Sequence, residues 1–239
     1  MAYLDYVKWQ IHKGQTLDFL KKKQGYYSTV TYRKLVFQIR KFLVYLEIKW
    51  AQDISAPSEP MYMPKRVTKK DIVDTIHYVK GYGIRYVALI LLGASSGMRP
   101  EEMFQLKPKD IDLENRAIHI KHDPRHGQTI KTKRERIAFF NQETKIALSE
   151  YIPYYQNHGI SEYLFPQHIS YETFRHAPIK VKDLRKFFSQ EWDRKGGPTS
   201  IKKILMGHSL KGDVDLMHYN YQSEEDLKKI YDKVNIRIN

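Results

Sequence analysis

The stretch from Val181 to Tyr221 concentrates side chains whose types and spacing suit chemistry on a phosphate group. It reads VKDLRKFFSQEWDRKGGPTSIKKILMGHSLKGDVDLMHYNY. Lys182 and Arg185 are three positions apart, and side chains with that spacing share one face of a helix. The Gly-Gly-Pro run at positions 196–198 should end this helix.

A second short helix, which Thr199 or Ser200 can cap, should follow. Gly207 can end it, which puts His208 at a helix C-terminus. The loop beyond holds two tyrosines, Tyr219 and Tyr221. Two cations, an imidazole and a phenol would together suit phosphoryl transfer to a tyrosine hydroxyl, because the cations offset charge on the phosphate that the phenol attacks. Taken singly, each of these residues is more often an ordinary surface or core residue.

The composition predicts a basic, cysteine-free protein with a substantial core. The 239 residues suffice for one large domain or two small ones, and 41% of them are hydrophobic. The formal net charge of +14 most often indicates a polyanionic partner such as nucleic acid, and a basic surface without a partner is the alternative. The absence of cysteine excludes disulfides and cysteine-based zinc sites and fits a cytosolic protein. No signal peptide is visible, and the longest apolar run, Tyr86–Leu92, is too short to span a bilayer.

A proline-bearing linker from Ala56 to Pro64 divides the chain into two predicted domains, residues 1–57 and 58–239. The first should be a small helical domain, because apolar residues recur at helical spacing: Leu35, Ile39, Phe42, Leu43 and Leu46. Basic residues beside that stripe would contact phosphate or form a solvated face: Arg33, Lys34, Arg40 and Lys41. The same two alternatives apply to a pair after the linker, Lys65 and Arg66.

In the second domain, helices are expected on both sides of a glycine-containing turn. Thr68 can cap a first helix, and the run Ile84–Leu92 predicts a buried helix that ends at Gly93. After the turn, Pro100 suits a first helical position, so Arg99 lies at a helix start. The helix dipole does not favour a structural arginine there, but an arginine aimed at a bound anion fits, because backbone N–H groups point at the same anion.

A small sheet should follow these helices. Three pieces are predicted as strands: Ala117–Lys121, Thr129–Lys133 and Arg136–Phe140. Lys131 would lie near the tip of the sheet, where a lysine is either solvated or able to reach into a site from above. Residues 142–155 predict another helix, and residues 168–178 predict a polar loop.

Four pieces occur in a fixed order along the second domain. They are GASSGMRPEEMFQLKPKDID, IKTKRERIAFF, KDLRKFF, and ILMGHS with HYNY behind it. This set resembles the catalytic domain of the tyrosine recombinases, the lambda-integrase family, from Met63 to the neighbourhood of Asp232. The resemblance implies a mixed, mostly α fold: an α-helical catalytic domain with a small antiparallel β-sheet, preceded by a short helical DNA-binding domain.

The boxes of this family place its functional residues on numbered positions of this chain. The first box, Gly-x-Arg-x-x-Glu-x-x-x-Leu, falls on Gly97, Arg99, Glu102 and Leu106. The hairpin lysine falls on Lys131, with two neighbours as second choices and DNA-contact candidates, Lys133 and Arg134. The His-x-x-Arg box falls on Lys182 and Arg185, and the Leu-Gly-His box falls on Met206-Gly207-His208.

The chain departs from the family's pattern in three places. Lys182 stands where the family usually has histidine; lysine still donates to a phosphate oxygen but does not titrate near neutral pH unless strongly perturbed. The segment between His208 and the tyrosines is slightly longer than the commonest pattern, and the N-terminal part is short. The Lys-x-x-Arg box and the His-Tyr pair look similar to those of integrases from archaeal viruses and plasmids.

The resemblance implies a reaction that needs neither metal nor ATP. A tyrosine phenolate attacks a DNA phosphodiester, forms a 3′-phosphotyrosyl bond and frees a 5′-hydroxyl. Arg99 and Arg185 would clamp the two non-bridging oxygens, a role suited to guanidinium groups. Lys131 would act as the general acid on the 5′-oxygen.

Further residues and partners are implied by the same resemblance. His208 and Lys182 would donate to the phosphate or assist proton transfer, and Glu102 would brace the loop of Arg99. The partner would be double-stranded DNA, with self-association to a dimer or tetramer on it, because strand exchange needs four active sites. No cofactor, metal or membrane partner is expected. The expected location is the cytoplasm, that of the host cell if a virus or plasmid encodes the protein.

Tyr219 is the predicted nucleophile, ahead of Tyr221. It follows His218 directly, in a His-Tyr pair like that of the archaeal integrases. Tyr221 precedes a possible capping box of Ser223 and Asp226, where it would pack as a hydrophobic staple. That box should start a tail helix whose apolar stripe is Leu227, Ile230, Tyr231 and Val234. In this family such a tail commonly docks on a neighbouring protomer; docking on its own domain is the alternative.

Two other functions compete with recombination. A type IB topoisomerase uses a very similar site but reseals the same strand as a monomer, and its known forms usually carry histidine in the second box. A catalytically silent DNA-binding protein on this fold is the other. The intact arginines, lysine and tyrosine argue against the silent protein.

Overall fold

A computed structural model describes residues 2–7, 10–59, 61–133, 135–158, 161–208 and 222–238, with backbone only for Ala2, Ile169 and Ser170. It contains two compact units, Met1–Pro64 and Lys65–Asn239, so the division lies at the far end of the proline-bearing linker. Helices dominate, and a small three-stranded antiparallel sheet lies in the second unit, which confirms the predicted fold class.

The first unit is built on three helices and one 3-10 turn: α1 (Ala2–Tyr6), α2 (Lys13–Gln24), α3 (Thr29–Tyr45) and Lys49–Asp53. The hydroxyl of Ser28 caps α3 by accepting a hydrogen bond from the Thr31 N–H. The buried face of α3 includes Ile39 and Leu43, as its apolar spacing predicts. Leu46 is exposed instead, because α3 ends one residue before it.

The second unit holds the remaining helices: α4 (Lys69–Val79), α5 (Ile84–Ser96), α6 (Pro100–Met103), α7 (Gln142–His158), α8 (Gln167–Thr173), α9 (Val181–Arg194), α10 (Thr199–Met206) and α11 (Glu224–Val234). The apolar helix α5 lies at the centre and packs against α7 and α9. Thr68 caps α4 through a capping box with Asp71, as predicted. Among the described residues, no helix is long and apolar enough to cross a membrane.

The predicted end of α5 at Gly93 is wrong, because the helix continues through Gly93 to Ser96. A β-carbon on Gly93 would lie 2.7 Å from Cδ1 of Leu184 on α9 and 3.1 Å from Sδ of Met103. Glycine is therefore present for close helix packing and not as a stop signal. The helix ends at Gly97, whose positive φ of 65° suits glycine.

The sheet has the order β1-β2-β3, all antiparallel: β1 (Ile111–Asp112), β2 (Ala117–Ile120) and β3 (Arg136–Phe139). In the pairing of β2 with β3, Ala117 lies opposite Phe139 and Ile120 lies opposite Arg136. The predicted strand Thr129–Lys133 is wrong. Its residues lie in the turn between β2 and β3, where the Lys133 N–H donates to the Ile130 carbonyl at 2.9 Å and Lys133 has a φ of 52°.

Two further predictions about helix boundaries are corrected. The predicted polar loop over residues 168–178 contains most of α8. The expected cap of α10 by Thr199 or Ser200 is also wrong, because Pro198 occupies the cap position and Thr199 is the first helical residue. The Pro198 carbonyl accepts the first helical hydrogen bond, from the Lys202 N–H at 3.1 Å.

The tail helix α11 packs on its own unit. Ser223 caps it as predicted, and the buried Tyr231 donates its hydroxyl to the Ser95 carbonyl at 2.9 Å. The ring of Tyr231 contacts those of Phe139 and Trp192. Residues of β3, α5 and α9 contact this stripe, which is the alternative of docking on its own domain. Docking of the tail on a neighbouring protomer stays a prediction.

Candidate active site

The C-terminus of α10 is the centre of the candidate site. Gly207 ends the helix with a φ of 63°, as predicted, and its N–H donates to the Ile204 carbonyl at 3.0 Å. The His208 N–H donates to the Lys203 carbonyl at 3.0 Å. This turn places His208 directly behind the last helical carbonyls, where the helix dipole is negative and carbonyl oxygens lack helical partners.

Three arginines from three different elements bind those carbonyls. Arg99, at the start of α6, donates from Nη2 to the Gly207 oxygen at 2.8 Å. Arg185 of α9 donates from Nη2 to the Met206 oxygen at 2.9 Å. Arg136 of β3 is the third arginine, and its Nε donates to the Leu205 oxygen, also at 2.9 Å. The helix end thus holds three guanidinium groups together despite their mutual repulsion.

Arg185 also joins the site to the turn before α6. Its Nη1 donates to the Gly97 carbonyl at 2.7 Å, so the positive-φ turn at the end of α5 is tied to α10 through one guanidinium. Burial, together with the positive charge of Arg99, lowers the pKa of Arg185 to about 10. The side chain therefore remains charged at neutral pH.

Glu102 is the carboxylate beneath these arginines, and its side chain is 2% exposed. Its Oε2 accepts from the Arg99 backbone N–H at 2.8 Å and from Arg136 Nη2 at 2.7 Å. Its Oε1 accepts from Arg99 Nη1 at 3.0 Å and Arg136 Nη1 at 2.9 Å. Burial opposes ionisation, but the hydrogen bonds and charge of Arg136 and Arg99 outweigh it and lower the pKa of Glu102. The cluster keeps an excess of positive charge.

His208 lies at the edge of this cluster and is exposed. Partial burial, followed by the charges of Arg185 and Arg99, lowers the pKa of its imidazole. The ring is therefore neutral at physiological pH and has one donating and one accepting nitrogen. It suits hydrogen bonding to a phosphate oxygen or proton transfer.

The two predicted lysines do not belong to the hydrogen-bonded cluster that the described residues form. Lys182 is exposed in the first turn of α9, and Lys131 is exposed in the turn between β2 and β3. Among the described residues, neither lysine hydrogen-bonds to the three arginines. The structure thus brings together Arg99, Glu102, Arg185 and His208. The predicted nucleophile Tyr219, its rival Tyr221 and the basic Arg134 lie outside the described residues.

Arg136 is the member of the cluster that sequence reasoning missed as a site residue. It is the first residue of a strand whose other members are buried apolar residues. A charged side chain in such a place is almost never buried unless it is paired. That signal was available in the sequence, but only the structure identifies Glu102 as the partner.

The predicted DNA-contact residues differ in their surroundings. Most are exposed: Lys34, Lys41, Lys65, Arg66 and Lys133. Arg40 is half-buried. Arg33 donates to the Pro57 carbonyl and its guanidinium lies 4.9 Å from the centre of the Phe37 ring. Both contacts of Arg33 lie within the first unit, so its guanidinium packs on its own unit.

Comparison with known proteins identifies the family. Residues 65–220 match the phage integrase family. Tyrosine recombinase XerA of Saccharolobus solfataricus is 31% identical over 138 residues, which cover 56% of this chain and 42% of XerA. Tyrosine recombinase XerC of Lactobacillus delbrueckii subsp. bulgaricus is 35% identical over 81 residues, 34% of this chain and 25% of XerC. The match thus spans less than half the length of these curated relatives.

Solved structures have the same fold. A crystal structure of XerA recombinase superposes with a TM-score of 0.53 at 18% identity and covers 99% of this chain and 88% of that one. XerH bound to a palindromic difH substrate gives a TM-score of 0.60 at 18% identity, covering 92% and 69%. The helical unit with its small antiparallel sheet therefore has the fold of these recombinase structures. The chain belongs to the phage integrase family, the lambda-integrase type of tyrosine recombinase, and the archaeal XerA agrees with its predicted archaeal resemblance.

Proposed function

We propose that this protein is a site-specific DNA recombinase or integrase. It cleaves and rejoins DNA through a 3′-phosphotyrosyl intermediate. The observation that carries the proposal is the pair Arg99 and Arg185, anchored on the adjacent carbonyls of Gly207 and Met206 at the end of α10. Each terminal nitrogen of a guanidinium has two hydrogens, so each anchored nitrogen keeps one for a phosphate oxygen. Such fixed donors stabilise a charged transition state without reorganisation.

The proposed chemistry uses the residues in distinct roles. The phenolate oxygen of Tyr219 attacks the phosphorus, the bond to the 5′-oxygen breaks, and Lys131 gives that oxygen its proton. Arg99 and Arg185 hold the non-bridging oxygens, while His208 and Lys182 donate to the phosphate or assist proton transfer. Rejoining reverses these steps when a 5′-hydroxyl attacks the phosphotyrosyl bond, so the bond energy is conserved and no metal or ATP is consumed.

DNA is the proposed partner of both units. The net charge of +14 favours a polyanion, and XerH has been solved with its difH substrate in pre-cleavage and post-cleavage complexes. We propose that residues 1–57 form a short core-binding-like domain, with Lys34 and Lys41 of α3 facing phosphate. A dimer or tetramer on DNA is proposed because strand exchange requires four active sites. The proposed place of action is the cytoplasm, that of the host cell if a virus or plasmid encodes the protein.

One set of assays tests the proposal against its rivals. A nicked suicide substrate should trap a covalent protein–DNA complex, while a supercoiled plasmid and a two-site substrate report relaxation and recombination. Relaxation without recombination favours a type IB topoisomerase. Tight binding with neither reaction favours a silent DNA-binding protein. Sequencing the trapped DNA identifies the recombination site.

A further inference from the structure

Arg136 is more deeply buried than Arg99. Its side chain is 5% exposed, whereas that of Arg99 is 18% exposed. It donates two hydrogen bonds to Glu102, one to each carboxylate oxygen, and its Nε donates to the Leu205 carbonyl at 2.9 Å. A planar guanidinium is the side chain that can make this forked contact and reach a third acceptor at once.

Arg136 also packs directly on the residue before His208. A β-carbon added to Gly207 would lie 2.9 Å from Cδ, Nε and Cζ of Arg136. The guanidinium thus covers the α-carbon at the turn where α10 ends. Gly207 needs its glycine for this contact as well as for its φ of 63°.

These contacts make Arg136 the link between two parts of the site. Arg136 binds the Glu102 carboxylate, which also accepts a hydrogen bond from Arg99. It also contacts Leu205 and Gly207 at the helix end that precedes His208. We propose that Arg136 is a positioning residue, which sets the placement of Arg99 and His208 around the phosphate without touching it. The inference rests on the proposed strand-cleavage function.

Loss of Arg136 has a specific electrostatic consequence. Glu102 would remain buried with Arg99 as its one remaining cation among the described contacts, so burial would weigh more heavily against its charge. Its pKa should rise, and the carboxylate should take up a proton at a higher pH than in the wild type. A protonated Glu102 accepts less strongly from Arg99, so cleavage should become sensitive to mild acid.

The chain offers a matched control in Arg194 at the end of α9. Arg194 also makes a two-bond pair with a buried glutamate, from Nε at 2.9 Å and Nη2 at 2.5 Å to Glu191, whose side chain is 6% exposed. It lies nine residues beyond Arg185 along the same helix, which is about 13 Å. Arg194→Ala therefore breaks a similar pair away from the candidate site.

The experiment measures single-turnover cleavage of a nicked substrate from pH 5 to pH 8, together with DNA affinity. Arg136→Ala should cleave about a hundredfold more slowly, the cost of a small misplacement of reacting groups. Its DNA affinity should stay within about twofold of the wild type, because no base or phosphate contact is removed. The acid limb of its pH–rate profile, where cleavage falls as the pH falls, should move to higher pH. Arg194→Ala should match the wild type in all three.

A lysine variant separates charge from geometry. Arg136→Lys keeps the charge but not the fork, so it should stay at least about tenfold slow while its acid limb moves less than that of Arg136→Ala. Arg136→Lys also tests the inference if the alanine variant does not fold. Cleavage by both variants within threefold of the wild type overturns the inference. Slow cleavage with an unmoved acid limb also overturns it, because that result describes a merely structural residue.

A second readout keeps the inference separate from the proposed function. If the wild-type protein forms no covalent complex, the proposed function fails, and nuclear magnetic resonance titration of His208 still tests the coupling. Arg136→Ala should raise the pKa of that imidazole, and Arg194→Ala should leave it unchanged. An unchanged His208 pKa in Arg136→Ala counts against the inference whatever the outcome with DNA.

Discussion

Arg99 and Arg185 bind neighbouring carbonyl oxygens, those of Gly207 and Met206, at 2.8 and 2.9 Å. Two residues that are far apart in sequence therefore share one helix end as their anchor. The backbone at the end of α10 anchors both guanidinium groups, and the buried Glu102 side chain also binds that of Arg99. Such fixed donors are what a preorganised phosphate clamp requires.

Removing either guanidinium should disable strand cleavage. Arg99→Ala and Arg185→Ala should each lower the single-turnover cleavage rate by at least about a hundredfold, the loss expected for one preorganised donor. DNA affinity measured by fluorescence anisotropy should change little. Arg194→Ala is the matched control. Near wild-type cleavage by either variant would show that the site is assigned incorrectly.

The nucleophile can be identified by mapping the covalent adduct. Tyr219→Phe should form no adduct with a nicked suicide substrate while still binding DNA, because phenylalanine lacks the attacking oxygen. Tyr221→Phe should form the adduct normally. Peptide mass mapping of the wild-type complex should place the DNA remnant on Tyr219, and a remnant on Tyr221 would transfer the role to that residue.

The role of Lys131 is open to a chemical rescue test. Lys131→Ala should cleave ordinary DNA slowly but should recover on a substrate with a 5′-bridging phosphorothiolate, because sulfur leaves without protonation. The ratio of the two single-turnover rates is the measurement. If the ratio in Lys131→Ala equals that of the wild type, Lys131 is a solvated turn lysine, and Lys133 and Arg134 become the candidates.

Glu102 should make stability depend on pH in a defined direction. Its folded-state pKa is lowered, so its contribution is present above the unfolded value of about 4.3 and is lost as the pH falls through the folded pKa. Glu102→Gln should cost about 3 kcal/mol at pH 7, because it leaves buried arginines less compensated.

Urea unfolding at several pH values checks this expectation. The difference in unfolding free energy between the wild type and Glu102→Gln should shrink below about pH 4. Glu101→Gln is the control, since that neighbouring carboxylate on α6 is exposed. A difference that does not depend on pH would contradict the assigned cause.

The tail helix should contribute to the stability of its own unit. Tyr231→Ala should lower the unfolding free energy by about 3 to 5 kcal/mol, because it empties a fully buried aromatic site beside Trp192. Tyr231→Phe should cost about 1 kcal/mol, the value of the hydrogen bond to Ser95. Chemical denaturation measures both, and equal effects of the two variants would show that the ring packing contributes little.

Local signals in the sequence predicted the helices well where the deciding contacts are also local. Thr68 with Asp71 and Ser223 with Asp226 are caps whose partners lie three residues away, and both occur. Gly93 and Gly207 follow similar apolar runs, yet one lies inside a helix and the other ends one. Only the contact of Gly93 with Leu184, ninety-one positions later, separates the two cases.

The candidate site shows the same limit. Motif spacing identified Arg99, Arg185 and His208, and the structure places them around one helix end. Arg136 was not assigned a role, because its partners Glu102 and Leu205 come from two other segments that only the folded chain brings together.

The arginine cluster also has a consequence for how the protein is handled. Among the described residues, three guanidiniums converge on a helix end and one carboxylate, that of Glu102, is hydrogen-bonded to them, so the free protein carries internal repulsion at this point. An anion that occupies the clamp relieves that repulsion and binds only the native state, so mass action makes it a stabiliser. Phosphate or sulfate in a purification buffer would then act as a surrogate for the proposed DNA phosphate, and removing it would lower the stability of the protein.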